Sequence, residues 1–449
     1  MMLNNKLQRY LPNLHSLLIE SPRLWRTELN AGITTAALLI PQSMAYAMLA
    51  GLPPQVGLYA ALTPILAYVL LGSTRTLSVG PVAMDSLLTM ATLNGVVATM
   101  SAPYIEAAGL LAFIVGLSLI LMSILKVGRL VKFLSPAMIS GFTSAAALII
   151  ALSQLNHILG IPLDRSIGAY HIVIEAINKA HLIHPLTFIV GLGSLLIFKG
   201  LPKLNSKYPG GLLGIVTMII LTSTFSFSER GVEIVGEIPQ GLPSFTMINL
   251  DSLLALLTGG HGAQLLGGAL SIALLAFMEA ISVGMTVSKQ QGYQVKPGQE
   301  LMALGASNIT GALFGAYPIA GGFSRTAVND RAGARTPLAS LITFSVVAVV
   351  AWRLTPILYY LPQATLSAMI IGAVYGLIDF KEPHRLLSTD RLQALIWFAT
   401  FVMTLTAGLQ SGILSGVILS GGAHLYQLAS GDAEALTSAQ NEETQEGKP

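Results

Sequence analysis

What most limits the fold of this chain is a succession of apolar runs, each roughly 20 residues long and separated by short polar connections. That is the length a helix needs to cross the hydrocarbon core of a bilayer, and the alternating ten-residue pattern of barrel strands is not visible. The pattern therefore predicts an all-α polytopic membrane protein. Composition agrees: 53% of residues are hydrophobic, 10% are charged and mean hydropathy is +0.69. The net charge of +3 lies in basic residues spread through short loops, as membrane orientation requires, and so does not argue for nucleic acid. Without cysteine there is no disulfide, thiol nucleophile or thiolate metal site. No HExxH, GxSxG, Walker A or dinucleotide motif occurs and no histidine sits at a span centre, so neither an enzyme, a metal centre nor a cofactor is expected.

In chain order, residues 1–28 form a cytoplasmic, partly interfacial head with Lys6, Arg9, Arg23 and Arg26, and no cleavable signal peptide is apparent. A first set of seven spans occupies 29–228, a polar external crossover 229–262, and a second set of seven spans 263–428. Residues 429–449 make a short, acidic cytoplasmic tail expected to be disordered. Seven is odd, so two successive halves of seven spans sit in opposite orientations, which is the condition for a 7+7 inverted repeat of 14 spans. With the N-terminus inside, the outer loops carry only Arg165, Lys179, Arg230 and Arg353, and every other basic residue except Arg325 faces the cytoplasm.

Two interruptions mark a site. Ala316 to Arg335 (AYPIAGGFSRTAVNDRAGAR) breaks the second half, and Thr76 to Ala83 (TLSVGPVA) breaks the first half at a corresponding place. Paired broken helices point to a transporter's binding site. Span 10 starts at Ser324, where Ser324, Arg325, Thr326 and Ala327 form its first turn with Phe323 just before it, and the unpaired N–H groups and positive dipole end there favour anions. Val79, Gly80, Pro81, Val82 and Ala83 supply the opposing turn at the start of span 3, so the two half-helices are expected to meet near the midplane. Arg325 has two readings: a fixed cation for an anionic substrate, or an ion-pair partner of Glu279.

Three ionisable residues fall well inside spans: Asp85, Glu279 and Arg325. Low dielectric favours the neutral form of a carboxyl, which makes Glu279 the candidate proton carrier coupled to anion occupancy. Asp85 reads as a second protonatable group, a sodium ligand, or a hydrogen-bonding partner of neighbouring helices. Gln42 and Tyr46 share one face of span 1 at i, i+4 spacing and either line the cavity or serve helix contacts. Asn308 reads as a helix-packing residue.

Residues 40–75 (IPQSMAYAMLAGLPPQVGLYAALTPILAYVLLGSTR), 77–83 (LSVGPVA), 288–315 (SKQQGYQVKPGQELMALGASNITGALFG) and 321–339 (GGFSRTAVNDRAGARTPLA) resemble the sulfate-permease (SulP) family of anion transporters. The resemblance implies a core domain (spans 1–4 and 8–11), a gate domain (spans 5–7 and 12–14), an elevator-like movement and usually a dimer. It places the anion site at Gln42, Tyr46, the Val79 to Ala83 turn, Ser324 and Arg325, and likens Glu279 to the span 8 acid of proton-coupled members. Val56, Thr74 and Asp85 depart from the family pattern, and the family's cytoplasmic STAS domain has no counterpart after Leu428. The expected function is proton-coupled uptake of a small oxyanion, sulfate first, in a bacterial inner membrane with both termini cytoplasmic. Its rivals are sodium-coupled bicarbonate uptake, dicarboxylate symport, an uncoupled anion exchanger or channel, a transport-dead sensor, and a nucleobase carrier of the same architecture.

Overall fold

The computed structural model describes residues 11–94, 96–97, 101–128, 135–163, 169–204 and 210–429. The expected head at 1–10 and tail from 430 lie outside the described residues. Two helices open the chain, α1 (Pro12–Ile19) and α2 (Ser21–Leu49), and then two short ones, α3 (Pro54–Ala60) and α4 (Thr63–Leu71). Strand β1 (Val79–Gly80) leads into α5 (Ala83–Leu93), followed by α6 (Ala102–Ile124), α7 (Pro136–Ser153), α8 (Leu155–Leu159), α9 (Ala169–Asn178), α10 (Pro185–Leu204) and α11 (Gly210–Thr224). Next come α12 (Leu250–Thr258), α13 (Gly262–Gln291), α14 (Pro297–Ala312), β2 (Ala320–Gly321), α15 (Phe323–Arg331) and α16 (Leu338–Val349). The last four are α17 (Gln363–Tyr375), α18 (Glu382–Thr389), α19 (Arg391–Ala407) and α20 (Leu409–Ala429).

Among the described residues, six helical stretches are long and apolar enough to cross a membrane, and four shorter apolar helices accompany them. Several boundaries differ from the sequence reading for local reasons. The first span begins at Ser21 and runs unbroken for 29 residues, roughly 44 Å at 1.5 Å per residue, through the stretch expected to be head. The second is two helices with a break at Ala61–Leu62, where Pro64 enters the first turn of the next helix. The polar crossover carries a helix of its own, α12, capped by Asn249, whose side chain accepts from the N–H groups of Asp251 and Ser252. It also runs along the end of the second half: Val235 N–H donates to Leu361 O at 2.8 Å, Gln363 N–H to Glu233 O at 2.9 Å and Gly241 N–H to Ala351 O at 2.9 Å.

The chain forms two compact units, Met1–Arg129 with Ala147–Gly376, and Leu130–Ala146 with Leu377–Pro449. In the first, α6 and α14 approach through small residues: a Cβ on Gly116 would lie 2.8 Å from Gly305 O, so only glycine allows the contact. In the second, Trp397 of α19 packs on Ala137, Leu386 and Ala394, and its indole N–H donates to Ser140 Oγ at 3.1 Å.

Irregular backbone inside a membrane protein persists only where protein satisfies its polar groups. Each interruption is held that way. Glu300 of α14 takes hydrogen bonds from the N–H and hydroxyl of Ser73, from the N–H and hydroxyl of Thr74, and from Tyr68 Oη at 2.6 Å, fixing the segment before β1. Glu28 of α2 takes the N–H groups of Arg335, Thr336 and Ala339 at 2.9, 2.9 and 3.1 Å, fixing the segment after α15. Asn308, expected as a helix-packing residue, pins the approach to β2. Its Nδ2 donates to Ile319 O and its Oδ1 accepts from Ile319 N–H, both at 3.0 Å.

Candidate functional site

The two strands pair antiparallel, Val79 with Gly321 and Gly80 with Ala320. The ladder is extended by Gly322 N–H to Ser78 O at 2.9 Å and by Ser78 N–H to Thr326 Oγ1 at 3.0 Å. Because each strand runs directly into a short helix, the antiparallel pairing sends α5 and α15 away in opposite directions with both N-termini toward the strand pair. Phe323, Ser324 and Arg325 open α15 and have no intrahelical acceptor for their N–H groups, and no side chain caps that end. The same holds for Ala83, Met84 and Asp85 at the start of α5. Two electropositive helix ends thus converge.

Arg325 is 1% exposed and lies between them. Its Nη1 donates to Pro81 O at 2.7 Å and to Gln42 Oε1 at 3.3 Å, and its Nε to Ser78 Oγ at 3.4 Å. The guanidinium folds back over its own helix end, where a Cβ on Gly322 would come within 2.6 Å of Cζ and Nη2, so glycine there is a steric requirement. Nη2 is buried and has no hydrogen-bond acceptor among the described residues, while an added Cβ on Gly80 would sit 3.6 Å from it. A buried guanidinium with an unused donor is costly unless something accepts from it.

The structure brings the sequence-derived residues together unequally. Gln42, Pro81 and Arg325 touch, Gly80 lies beside the guanidinium, and Val79 carries the strand pairing. Val82 packs on Ala276 and Ala320, joining α5 to α13 and β2, and Ala83 opens α5. Tyr46 is buried within the electrostatic reach of both Arg325 and Glu279. Phe323 is 51% exposed at the tip of α15 and Ser324 is exposed beside it. Thr326 differs: its hydroxyl is committed to the scaffold, donating to Gly322 O at 2.7 Å and accepting from Ser78 N–H.

Glu279 of α13 is partly exposed and sits within the field of Arg325, yet no ion pair joins them among the described residues. The ion-pair reading of Arg325 therefore finds no contact here. Asp85 is fully buried, and neither of its carboxyl oxygens has a hydrogen-bond partner among the described residues. Sequence reasoning missed three members. Ser78 is a ligand of Arg325, Tyr317 is buried within the field of Arg325, Tyr46 and Asp85, and Ser86 shares a 3.0 Å hydrogen bond with Tyr317 Oη. Tyr317 lay inside the broken stretch already singled out, and its being the one aromatic hydroxyl there was the available signal. No group of three or more His, Cys, Asp or Glu among the described residues is placed to hold a metal.

This arrangement offers a polyatomic anion two sets of helix-end amides, a serine hydroxyl and a guanidinium, with a titratable carboxyl close by. The chain is similar to several known proteins. A sulfate transporter of Arabidopsis thaliana, number 4.1 and chloroplastic, is 37% identical over 405 residues, covering 88% of this chain and 57% of the plant protein. A probable sulfate transporter of Mycobacterium tuberculosis is 33% identical over 406 residues, covering 89% of this chain and 70% of the relative. The solved structure of murine solute carrier 26 family member A9, an anion transporter in the inward-facing state, superposes with a TM-score of 0.83 at 25% identity over 93% of this chain and 71% of that one. The chain thus spans less than two thirds of the plant relative. The profile of the sulfate permease family matches residues 25–400, and the chain, a multi-pass membrane protein, belongs to that family.

Proposed function

We propose that this protein is a secondary active transporter that carries a small inorganic oxyanion, sulfate first, together with protons. The single observation behind this reading is Arg325: a guanidinium 1% exposed, set between two uncapped helix ends, with Nη2 lacking an acceptor. The sulfate assignment comes from the relatives, which are named as sulfate transporters. Glu279 is the proton carrier, because it is the partly exposed carboxyl within the field of Arg325. A proton there removes the repulsion that an entering anion meets.

In this reading the protein spans the membrane 14 times as a 7+7 inverted repeat with both termini cytoplasmic, works as a dimer in a bacterial inner membrane, and carries its anion on the core domain in an elevator-like movement against the gate domain. Phe323 and Ser324 face the anion, Gln42 and Pro81 hold the guanidinium, and Tyr46 lines the pocket. The test is sulfate binding to purified protein, with bicarbonate, chloride, succinate and fumarate as competitors. Arg325→Ala is expected to weaken sulfate at least 100-fold, and unchanged affinity would overturn the site. In proteoliposomes an inward proton gradient is expected to drive uptake, and Glu279→Gln to abolish that drive. Uptake that still follows pH in the variant would reject the role of Glu279, and uptake that follows sodium would transfer the coupling to that ion.

A further inference from the structure

Asp85 is a carboxyl at the site that the reading above leaves unused. Its side chain is 0% exposed, and both oxygens lack a hydrogen-bond partner among the described residues. With no donor on either oxygen, an ionised carboxylate has only the positive end of α5 in place of the water it has lost, whereas a neutral acid leaves only modest polar groups unmet. The site around it is defined by helix packing. Val82 at the start of α5 lies against Ala276 of α13, and at the other end Gln264 of α13 donates to Thr92 O at 2.9 Å, so the two helices run antiparallel side by side. On that seam Asp85 feels Glu279, and it acts in turn on Tyr317.

The other elements packed on α5 supply no further charge to Asp85. From α2, Tyr46 reaches Arg325, Glu279 and Tyr317. From α6, Tyr104 donates to Ala50 O at 2.8 Å, and Glu106 is exposed. Arg325 is held by Pro81, Gln42 and Ser78 and forms no ion pair with Asp85. The cluster therefore contains one cation and two carboxyls, one of them partly exposed and the other sealed.

Resting on the proton-coupled reading of Glu279, we propose that Asp85 is a second proton carrier, so that Asp85 and Glu279 together bring two protons with each divalent anion. Charge conservation gives the reason. Arg325 crosses with the site in both directions and cancels over a cycle, so the charge moved is that of the anion plus the protons. With Glu279 alone a sulfate would carry one net negative charge inward, against an inside-negative membrane. With both acids loaded the cycle is electroneutral. A proton reaches Asp85 by way of Glu279, the partly exposed member, and the sealed Asp85 of this structure is the loaded form.

The test is sulfate accumulation in proteoliposomes at a fixed proton gradient, with the membrane potential stepped by a potassium gradient and valinomycin. The parent is expected to be insensitive to potential. In Asp85→Asn, an inside-negative potential of 100 mV is expected to lower steady-state accumulation about 50-fold, the factor for one elementary charge. Asp85→Glu, which keeps a titratable group, is expected to restore insensitivity. A variant as insensitive as the parent overturns the proposal, as does a sodium requirement that Asp85→Asn removes. Should Asp85→Asn fail to fold, the number of protons entering with each sulfate in parent proteoliposomes decides: two support the second carrier, and one refutes it. A parent that binds no oxyanion sinks the transport reading itself, an outcome distinct from all of these.

Discussion

Glu300 and Asp85 are both carboxylic acids with no exposed surface, and they live in opposite electrostatic worlds. Five donors from Tyr68, Ser73 and Thr74 converge on Glu300, whereas no described residue donates to Asp85. Burial alone therefore does not tell what an acid does. A carboxylate whose lone pairs are filled by fixed backbone and hydroxyl donors is part of the scaffold, and one left without donors is held for a proton, a cation or a movement. Glu28, with three backbone N–H groups, belongs with Glu300, and Glu279, partly exposed and without an ion pair, belongs with Asp85. The first pair clamps the segments flanking the broken helices. The second lies on the seam between α5 and α13, beside the broken helices.

The contrast breaks most visibly at Glu300. Glu300→Ala leaves five buried donors without an acceptor, and at roughly 1 to 3 kcal/mol for each group that relaxation cannot rescue, a loss of about 3 to 5 kcal/mol is expected. Thermal unfolding of the purified protein in detergent measures it, and the segment from Ser73 to Ser78 should lose protection from hydrogen exchange. A mild effect at this position would mean that the clamp is incidental. Glu28→Ala comes next, at about 2 to 3 kcal/mol, because it frees three backbone N–H groups of the Arg335 to Ala339 turn. That variant is expected to lower the melting temperature while the sulfate affinity of the folded fraction survives. Asp85→Asn should change stability by less than about 1 kcal/mol, since the carboxyl has no hydrogen bond to lose. A destabilisation as large as that of Glu300→Ala would place Asp85 in the scaffold and end the contrast.

The sequence was legible wherever a single local rule decided. Bilayer length located the apolar helices, and the start of α15 at Phe323 lies one residue from the Ser324 read from the broken stretch. Arg325 was legible because a lone guanidinium in apolar surroundings needs a reason. What the sequence left hidden depends on contacts between distant residues. Tyr68, Ser73 and Thr74 are 226 to 232 positions from Glu300, and nothing local marks them as its donors. Ser78 and Ser86 are short hydroxyls with ordinary roles in any helix or turn, and only the pairing of β1 with β2 brings the first to Arg325. Thr326 shows the same limit from the other side: its place in the first turn of α15 suggested a ligand contact, and nothing local showed that its hydroxyl serves Gly322 and Ser78. The crossover helix α12 was missed because Leu250 to Thr258 is short and follows a run of polar and turn-forming residues.

The smallest effect supplies the control that gives the contrast its meaning. Glu175 has a partner, as Glu300 does, yet its side chain is 23% exposed: Lys179 Nζ lies 2.7 Å away, four residues on and just past the end of α9. If having a partner were what made an acid structural, Glu175→Gln should resemble Glu300→Ala. Solvent argues otherwise. Water competes for both charges, salt screens them, and Lys179 keeps a second acceptor in Pro162 O at 2.7 Å. The expected change is below about 0.5 kcal/mol in melting experiments, vanishing at high ionic strength. Sulfate affinity and proton coupling should not move. A loss several times larger that resisted salt would show α9 to be more enclosed than its exposure suggests, and burial would then have to be separated from donor count with paired variants at Glu28 and Glu300.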